Sequence, residues 1–219
     1  QMGAIKAYLK LYNLSCAIGW GLVLYLFIES KSDGLSNVEI WQNISKTVLI
    51  VQSAAILEFF HSLFGLVKSP WMTTFLQVTS RLVLIWGFLY ICRASQEGIG
   101  MSLAVVSWSL VEIPRYLFYY YNLDGPKKVP YALFWLRYSL FAVLYPSGIT
   151  GEIMTIIAGL ECLKVMSPLP VLDIFTINHY YLGLFVLSVY VPGSPYMYFH
   201  MINTRSTQFK KRSQTNKKK

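Results

Sequence analysis

Charge is what this 219-residue chain has least of. Only 13% of its residues are Asp, Glu, Lys or Arg, 55% are hydrophobic and the mean hydropathy is +0.46, whereas a soluble domain carries about 25% charged residues. This argues against a water-soluble globule, because the apolar residues come in runs of membrane-crossing length and not in short amphipathic stripes. Acidic residues are scarcer still, ten against nineteen basic ones. The resulting +9 is no nucleic-acid footprint: seven of the basic residues gather between Arg205 and Lys219 and do not line a face interleaved with aromatics. Cysteine is limited to Cys16, Cys92 and Cys162, widely spaced inside or beside apolar runs, with no CxxC pair and no metal-ligand spacing. A phosphatase Cys loop needs an Arg six residues on, where this chain has Leu22, Gly98 and Pro168. The cysteines read as small packing residues. His61, His179 and His200 stand too far apart to suggest a metal site.

What is present is a series of apolar runs at about 11–28, 47–67, 72–92, 99–121, 138–160 and 178–200. The connections between them carry Asp33-Gly34, Ser69-Pro70, Gln96-Glu97-Gly98, Asp124-Gly125-Pro126 and Ser167-Pro168-Leu169-Pro170. The expected fold is all-α: a polytopic membrane helix bundle of six transmembrane helices, residues 1–205, followed by a basic cytoplasmic tail, 206–219. Gln1 precedes Met2, so no targeting signal is read from this end; Lys6 and Lys10 before an apolar run without a clear cleavage site suggest an uncleaved first span. Lys6, Lys10, Lys68, Lys127, Lys128 and the tail fall on one side, Lys31, Lys46, Arg93 and Lys164 on the other. By the positive-inside rule both termini face the cytoplasm. Anchoring by this rule is also the plain explanation of the tail.

The fifth run is placed by charge. Between Arg137 and Glu161 the one ionisable acid or base is Glu152, and residues 138–160 rise about 34 Å as a helix, close to the hydrocarbon thickness. Glu152 and Tyr145 then lie near the bilayer midplane, where a carboxylate costs at least a few kcal/mol unless it pairs or works. Seven residues apart, the two side chains return to one helical face, about 20° offset and roughly 10 Å apart along the axis. Pro146, Gly148 and Gly151 lie between them, and the proline predicts a kinked fifth helix at this point. Packing alone is the competing explanation of that kink.

The string from Leu136-Arg137-Tyr138 through Tyr145-Pro146-Ser147-Gly148 to Gly151-Glu152 resembles the signature of the membrane 3-hydroxyacyl-CoA dehydratases. Trp108 to Tyr116, Pro192-Gly193-Ser194-Pro195 and His200-Met201 also resemble segments of that family. The resemblance implies removal of water from a long-chain (3R)-3-hydroxyacyl-CoA to give the trans-2-enoyl-CoA, with Tyr145 and Glu152 as the catalytic pair and no cofactor. It further implies the endoplasmic reticulum membrane as solvent and the other elongation-cycle enzymes as neighbours: elongase, ketoacyl-CoA reductase and enoyl-CoA reductase. Elimination needs a base for the C2 proton and an acid for the departing C3 hydroxyl. A desolvated carboxylate is the stronger base, and a phenol of ordinary pKa, about 10, keeps its proton at pH 7. Glu152 is therefore read as base and Tyr145 as acid, the reverse assignment staying open.

Arg115, Lys127, Lys128 and Arg137 lie near the same ends of the fourth and fifth runs and are candidates to grip the CoA phosphates, with Tyr116, Tyr138 and Gly148 beside them. Glu112, three residues before Arg115, offers that guanidinium a purely structural partner instead. Glu58, His61 and Arg81, all costly in lipid, are expected either to pair across helices or to position the thioester carbonyl. A catalytically silent scaffold that binds elongation enzymes is the alternative from another class; retention of both Tyr145 and Glu152 speaks against it.

Overall fold

The computed structural model describes residues 2–166, 169–171, 175–177 and 179–217. Its helices are α1 (Met2–Ser32), α2 (Asn37–Ala54), α3 (Ile56–Leu63), α4 (Trp71–Leu84, extended by a π-helical turn over Ile85–Leu89), α5 (Arg93–Glu97), α6 (Ile99–Asn122), α7 (Tyr131–Ser139), α8 (Phe141–Lys164) and α9 (His179–Lys217). One short antiparallel pairing of β1 (Leu169–Val171) with β2 (Phe175–Ile177) lies between α8 and α9. The architecture is otherwise all-α, as expected. Ser167 and Pro168 of the anticipated turn lie outside the described residues.

Among the described residues every expected run falls on a helix or on two consecutive helices; position 178, the first of the last run, lies outside them. Five stretches, Gly3–Ser32, Asn37–Leu63, Trp71–Leu89, Phe141–Lys164 and Tyr180–Gln214, are long and apolar enough to cross a bilayer. Their outer faces carry exposed large hydrophobics such as Leu11, Ile18, Ile28, Phe185 and Val189, and their backbone polar groups bond within each helix, as lipid requires. The remaining long helix, α6, is different. Twelve of its 24 residues are buried, Glu112 and Arg115 among them, and it packs chiefly between α1 and α8.

Local chemistry sets the joints. Ser36 caps α2 through a reciprocal capping box with Glu39, after Gly34 at φ +73° has turned the chain out of α1. The fifth segment is interrupted as expected, but the break falls at Leu140, between α7 and α8, and Pro146 lies inside α8. The physical reason is position: with α8 starting at Phe141, the bond Pro146 cannot donate is one of the first in the helix, and the chain accommodates its ring by restarting just upstream.

The cysteine reading needs correction. Cys92 and Cys162 are joined in a disulfide, their Cα atoms 5.9 Å apart across 70 residues of sequence, and Cys16 alone is a free, buried packing residue. No spacing signal foretold this, because the two meet only when the far end of α8 folds against the end of the π-helical turn.

The two ends of the bundle are distinct. At one, Lys6 and Lys10 bind Asp124, and Arg212 donates to the Val129 carbonyl. Hydrogen bonds from Lys10 and Lys6 hold the Asp124 carboxyl well down, at about 2. At the other, Asn37 donates to the Glu97 carbonyl and accepts from Ser102. The last stretch of α9 is docked at the first end, with Phe209 against Phe134 and Arg212 over the same ring.

Small residues fix the central seam between α6 and α8. A Cβ on Gly151 would fall 2.5 Å from the Ala104 backbone nitrogen and 2.7 Å from the Gly100 carbonyl oxygen, so the helices touch backbone to backbone. Gly151→Ala should overpack this seam and destabilise the bundle by about 1–3 kcal/mol. Thermal unfolding in detergent checks this; an unchanged midpoint would mean that the two helices can part to admit a methyl group without loss.

Candidate functional site

The α6 face that carries Trp108, Glu112, Arg115 and Tyr119 runs at intervals of four, three and four residues, so these side chains form one stripe along the helix. Each finds its partner on a different element. Glu112 accepts from Arg81 of α4 and from Arg115, both at 2.5 Å. Arg115 reaches on to α3 and holds Glu58 bidentately, Nη1 and Nη2 donating at 2.9 and 2.8 Å. Tyr116 donates a very short hydrogen bond to the same carboxylate, and Tyr119 accepts from Arg137 of α7 at 3.2 Å. Two carboxylates and two guanidiniums thus neutralise one another inside the bundle, which is how buried ions are tolerated. Of the two roles open to Arg115, the structure displays pairing. His61 stands beside this cluster with Tyr8, 2.9 Å between the hydroxyl and Nε2.

The stripe ends at Trp108, and there the candidate catalytic residue appears. Trp108 Nε1 donates to Glu152 Oε1 at 2.8 Å from α6, and Tyr190 of α9 donates to Oε2 at 2.5 Å. The Arg81 guanidinium lies 5.3 Å from the centre of the Trp108 ring. Glu152 is buried, and both of these hydrogen-bond donors are neutral. Tyr145 is half-buried on the same side of α8, its hydroxyl donating weakly to the Ser194 carbonyl at 3.3 Å. The expected pair therefore shares one side of α8, with α9 laid across it.

The other predicted residues spread outward. Arg137 lies between the Tyr119 and Tyr138 rings, and its Nε is the one buried side-chain polar atom without a hydrogen-bond partner among the described residues. Such an orphaned donor calls for an acceptor that the chain does not supply. Lys127 and Lys128 are exposed on the 3-10 turn Pro126–Lys128. Tyr138 packs on Phe118 and Phe134, and Gly148 faces Ser107 across the seam. A cavity of about 460 Å³ is bounded by Phe27, Lys31, Leu103, Ser107, Leu144 and Ser147; its lining includes neither Tyr145 nor Glu152. No cluster of metal-ligating side chains is found among the described residues.

Sequence reasoning missed Trp108 and Tyr190 as partners of Glu152. Trp108 had a signal, its helical spacing from Glu112 and Arg115. Tyr190 had none, since one tyrosine in an aromatic-rich apolar run looks like any other.

Comparison with known proteins gives the chain its family. The family model described as protein tyrosine phosphatase-like protein, PTPLA, matches residues 52–211. The very-long-chain (3R)-3-hydroxyacyl-CoA dehydratase hpo-8 of Caenorhabditis elegans is 36% identical over 206 residues, covering 92% of this chain and 94% of its own. The very-long-chain (3R)-3-hydroxyacyl-CoA dehydratase PASTICCINO 2 of Arabidopsis thaliana is 39% identical over 211 residues, 94% of each chain. The very-long-chain (3R)-3-hydroxyacyl-CoA dehydratase 2 of Homo sapiens is 34% identical over 203 residues, 91% of this chain and 79% of its own. No solved structure matches.

Arg115→Ala should leave Glu58 and Glu112 short of a buried partner and cost about 3–5 kcal/mol, seen as a collapse in the yield of folded protein in detergent. Full stability of that variant would show that water already reaches these carboxylates.

Proposed function

Given that this chain belongs to the PTPLA family of protein tyrosine phosphatase-like proteins, we propose that it is the dehydratase of very-long-chain fatty acid elongation, converting a (3R)-3-hydroxyacyl-CoA to a trans-2-enoyl-CoA and water through Glu152 and Tyr145. The relatives carry that activity in their names, while the chain has no Cys loop for phosphatase chemistry. The observation that supports the residue assignment is Glu152 itself: a buried carboxylate outside the neutral Glu–Arg network, hydrogen-bonded by uncharged donors and facing the same side of α8 as Tyr145.

The Glu152 carboxylate takes the C2 proton, and the C–H electron pair becomes the C2–C3 double bond. The C3–O bond breaks as Tyr145 gives its phenolic proton to the departing hydroxyl, which leaves as water. Proton return from the Glu152 carboxylic acid to the Tyr145 phenolate closes the cycle. The substrate's phosphates stay at the end of the bundle where Lys127, Lys128 and Arg137 gather, with the unpartnered Arg137 Nε as a fitting donor for an anionic oxygen; Arg115 and Tyr116 remain with Glu58.

That end is the cytoplasmic face, and the protein resides in the endoplasmic reticulum membrane with both termini cytoplasmic. The excess of basic residues there supports this. So does the Cys92–Cys162 bond near the opposite end, since disulfides persist on the oxidising lumenal side. With Ser102 beside Asn37 at one end and Asp124 beside Lys6 and Lys10 at the other, α6 is taken as the sixth crossing. An elongase and a ketoacyl-CoA reductase act before this reaction and an enoyl-CoA reductase after it, which makes them the expected neighbours.

Tyr145→Phe and Glu152→Gln should each lower the rate of long-chain 3-hydroxyacyl-CoA dehydration by on the order of 10²-fold or more without unfolding the protein, and the double variant should be little worse than the poorer single one. Near-normal turnover in both single variants would move the site elsewhere. Arg137→Ala should raise the half-saturating substrate concentration more than it lowers the maximal rate; a purely maximal-rate loss would remove Arg137 from headgroup binding.

A further inference from the structure

The two phenols near Glu152 are not equivalent. Tyr190 gives Glu152 Oε2 a 2.5 Å hydrogen bond, whereas Tyr145 spends its hydroxyl on the Ser194 carbonyl at 3.3 Å, one turn further along α9. A short O–H donor to a carboxylate is charge-assisted and strong, and a 3.3 Å phenol–carbonyl contact is weak. One phenol is committed to the carboxylate; the other is easily taken over by an arriving hydroxyl. Trp108 grips the remaining oxygen from α6 at 2.8 Å, so the carboxylate is pinned from two helices other than its own.

From this geometry we infer that Tyr190 is a positioning residue of the dehydratase: with Trp108 it fixes the plane of the Glu152 carboxylate and leaves Tyr145 free to serve the substrate hydroxyl. The inference rests on the reading of Glu152 as base. A carboxylate offers about four lone-pair sites, so two donors still leave a lone pair for the C2 proton. Besides Glu152, the ionisable groups that act on Tyr190 are Tyr145 on α8 and Arg81 on α4, the latter already paired with Glu112 of α6. Arg81 is spent on Glu112, so the two clamps, the Trp108 indole and the Tyr190 phenol, are both neutral and orient the base without cancelling its charge.

The test uses the purified full chain and a long-chain 3-hydroxyacyl-CoA, unlabelled and deuterated at C2. Tyr190→Phe keeps the ring and removes one oxygen. It should lower kcat by on the order of 10-fold to 10²-fold, leave KM within about twofold, enlarge the primary isotope effect and spare the melting temperature. In a Glu152→Gln background the same substitution should cost far less, since it acts through the carboxylate. Trp108→Phe, which opens the other clamp, is judged by the same split and carries the test if Tyr190→Phe fails to fold. Wild-type kcat in Tyr190→Phe alongside an inactive Glu152→Gln would overturn the positioning role and leave the base assignment standing. An inactive Tyr190→Phe alongside an active Tyr145→Phe would overturn it differently, by making Tyr190 the proton donor. Near-normal turnover in Glu152→Gln would sink the reading of Glu152 itself.

Discussion

An ion sunk in hydrocarbon must find an opposite charge, and that constraint organises this bundle. Glu112 sits in the interior of α6 and cannot be solvated there, so Arg81 and Arg115 close on it from either side, and the second face of Arg115 draws in Glu58. One stripe of α6 thereby ties α3, α4 and α6 together at fixed heights. Breaking such an arrangement on one side costs several kcal/mol, although its formation is not itself a large source of stability. Its value is registration: helices that touch lipid on their outer faces gain little from choosing one rotation over another, and paired charges choose for them.

Registration carries to Glu152. Trp108 lies one turn from Glu112 on the same stripe, with Arg81 over its ring, and its indole N–H is thereby aimed at Glu152. The glycine seam sets the distance between α6 and α8 that this bond requires. Because the two Glu and two Arg already cancel, Glu152 remains, among the described residues, the one buried carboxylate without a guanidinium partner. It is held instead by neutral donors from α6 and α9, Trp108 and Tyr190.

Several features were legible because they depend on local spacing alone. Tyr145 and Glu152 share a helical side by arithmetic, the span positions follow from the length of apolar runs, and the polar cost of Glu58, Glu112, Arg81 and Arg115 in lipid announced that they would seek partners. The break in the fifth segment was foreseen but misplaced, since a proline signals a disturbance more reliably than the residue at which the chain relieves it; here relief came at Leu140. The tail was read as an anchor from its charge, and its docking against Phe134 through Phe209 depends on a long-range contact that charge does not reveal.

The sequence by itself determined that this chain belongs in a membrane, where its apolar runs lie, which of its ends is basic, and that one midspan carries a carboxylate with a phenol two turns away. These follow from hydropathy and helical periodicity, which act over a few residues and need no fold. Only the tertiary structure decided that Cys92 meets Cys162, that Arg115 is consumed by Glu58 and Glu112, and that Tyr190, not Tyr145, holds the carboxylate. The physical reason is that each of these partners arrives from a helix tens of residues away, and in lipid, where apolar faces are nearly interchangeable, the choice among them falls to a few directional polar contacts whose geometry exists only once the helices are packed.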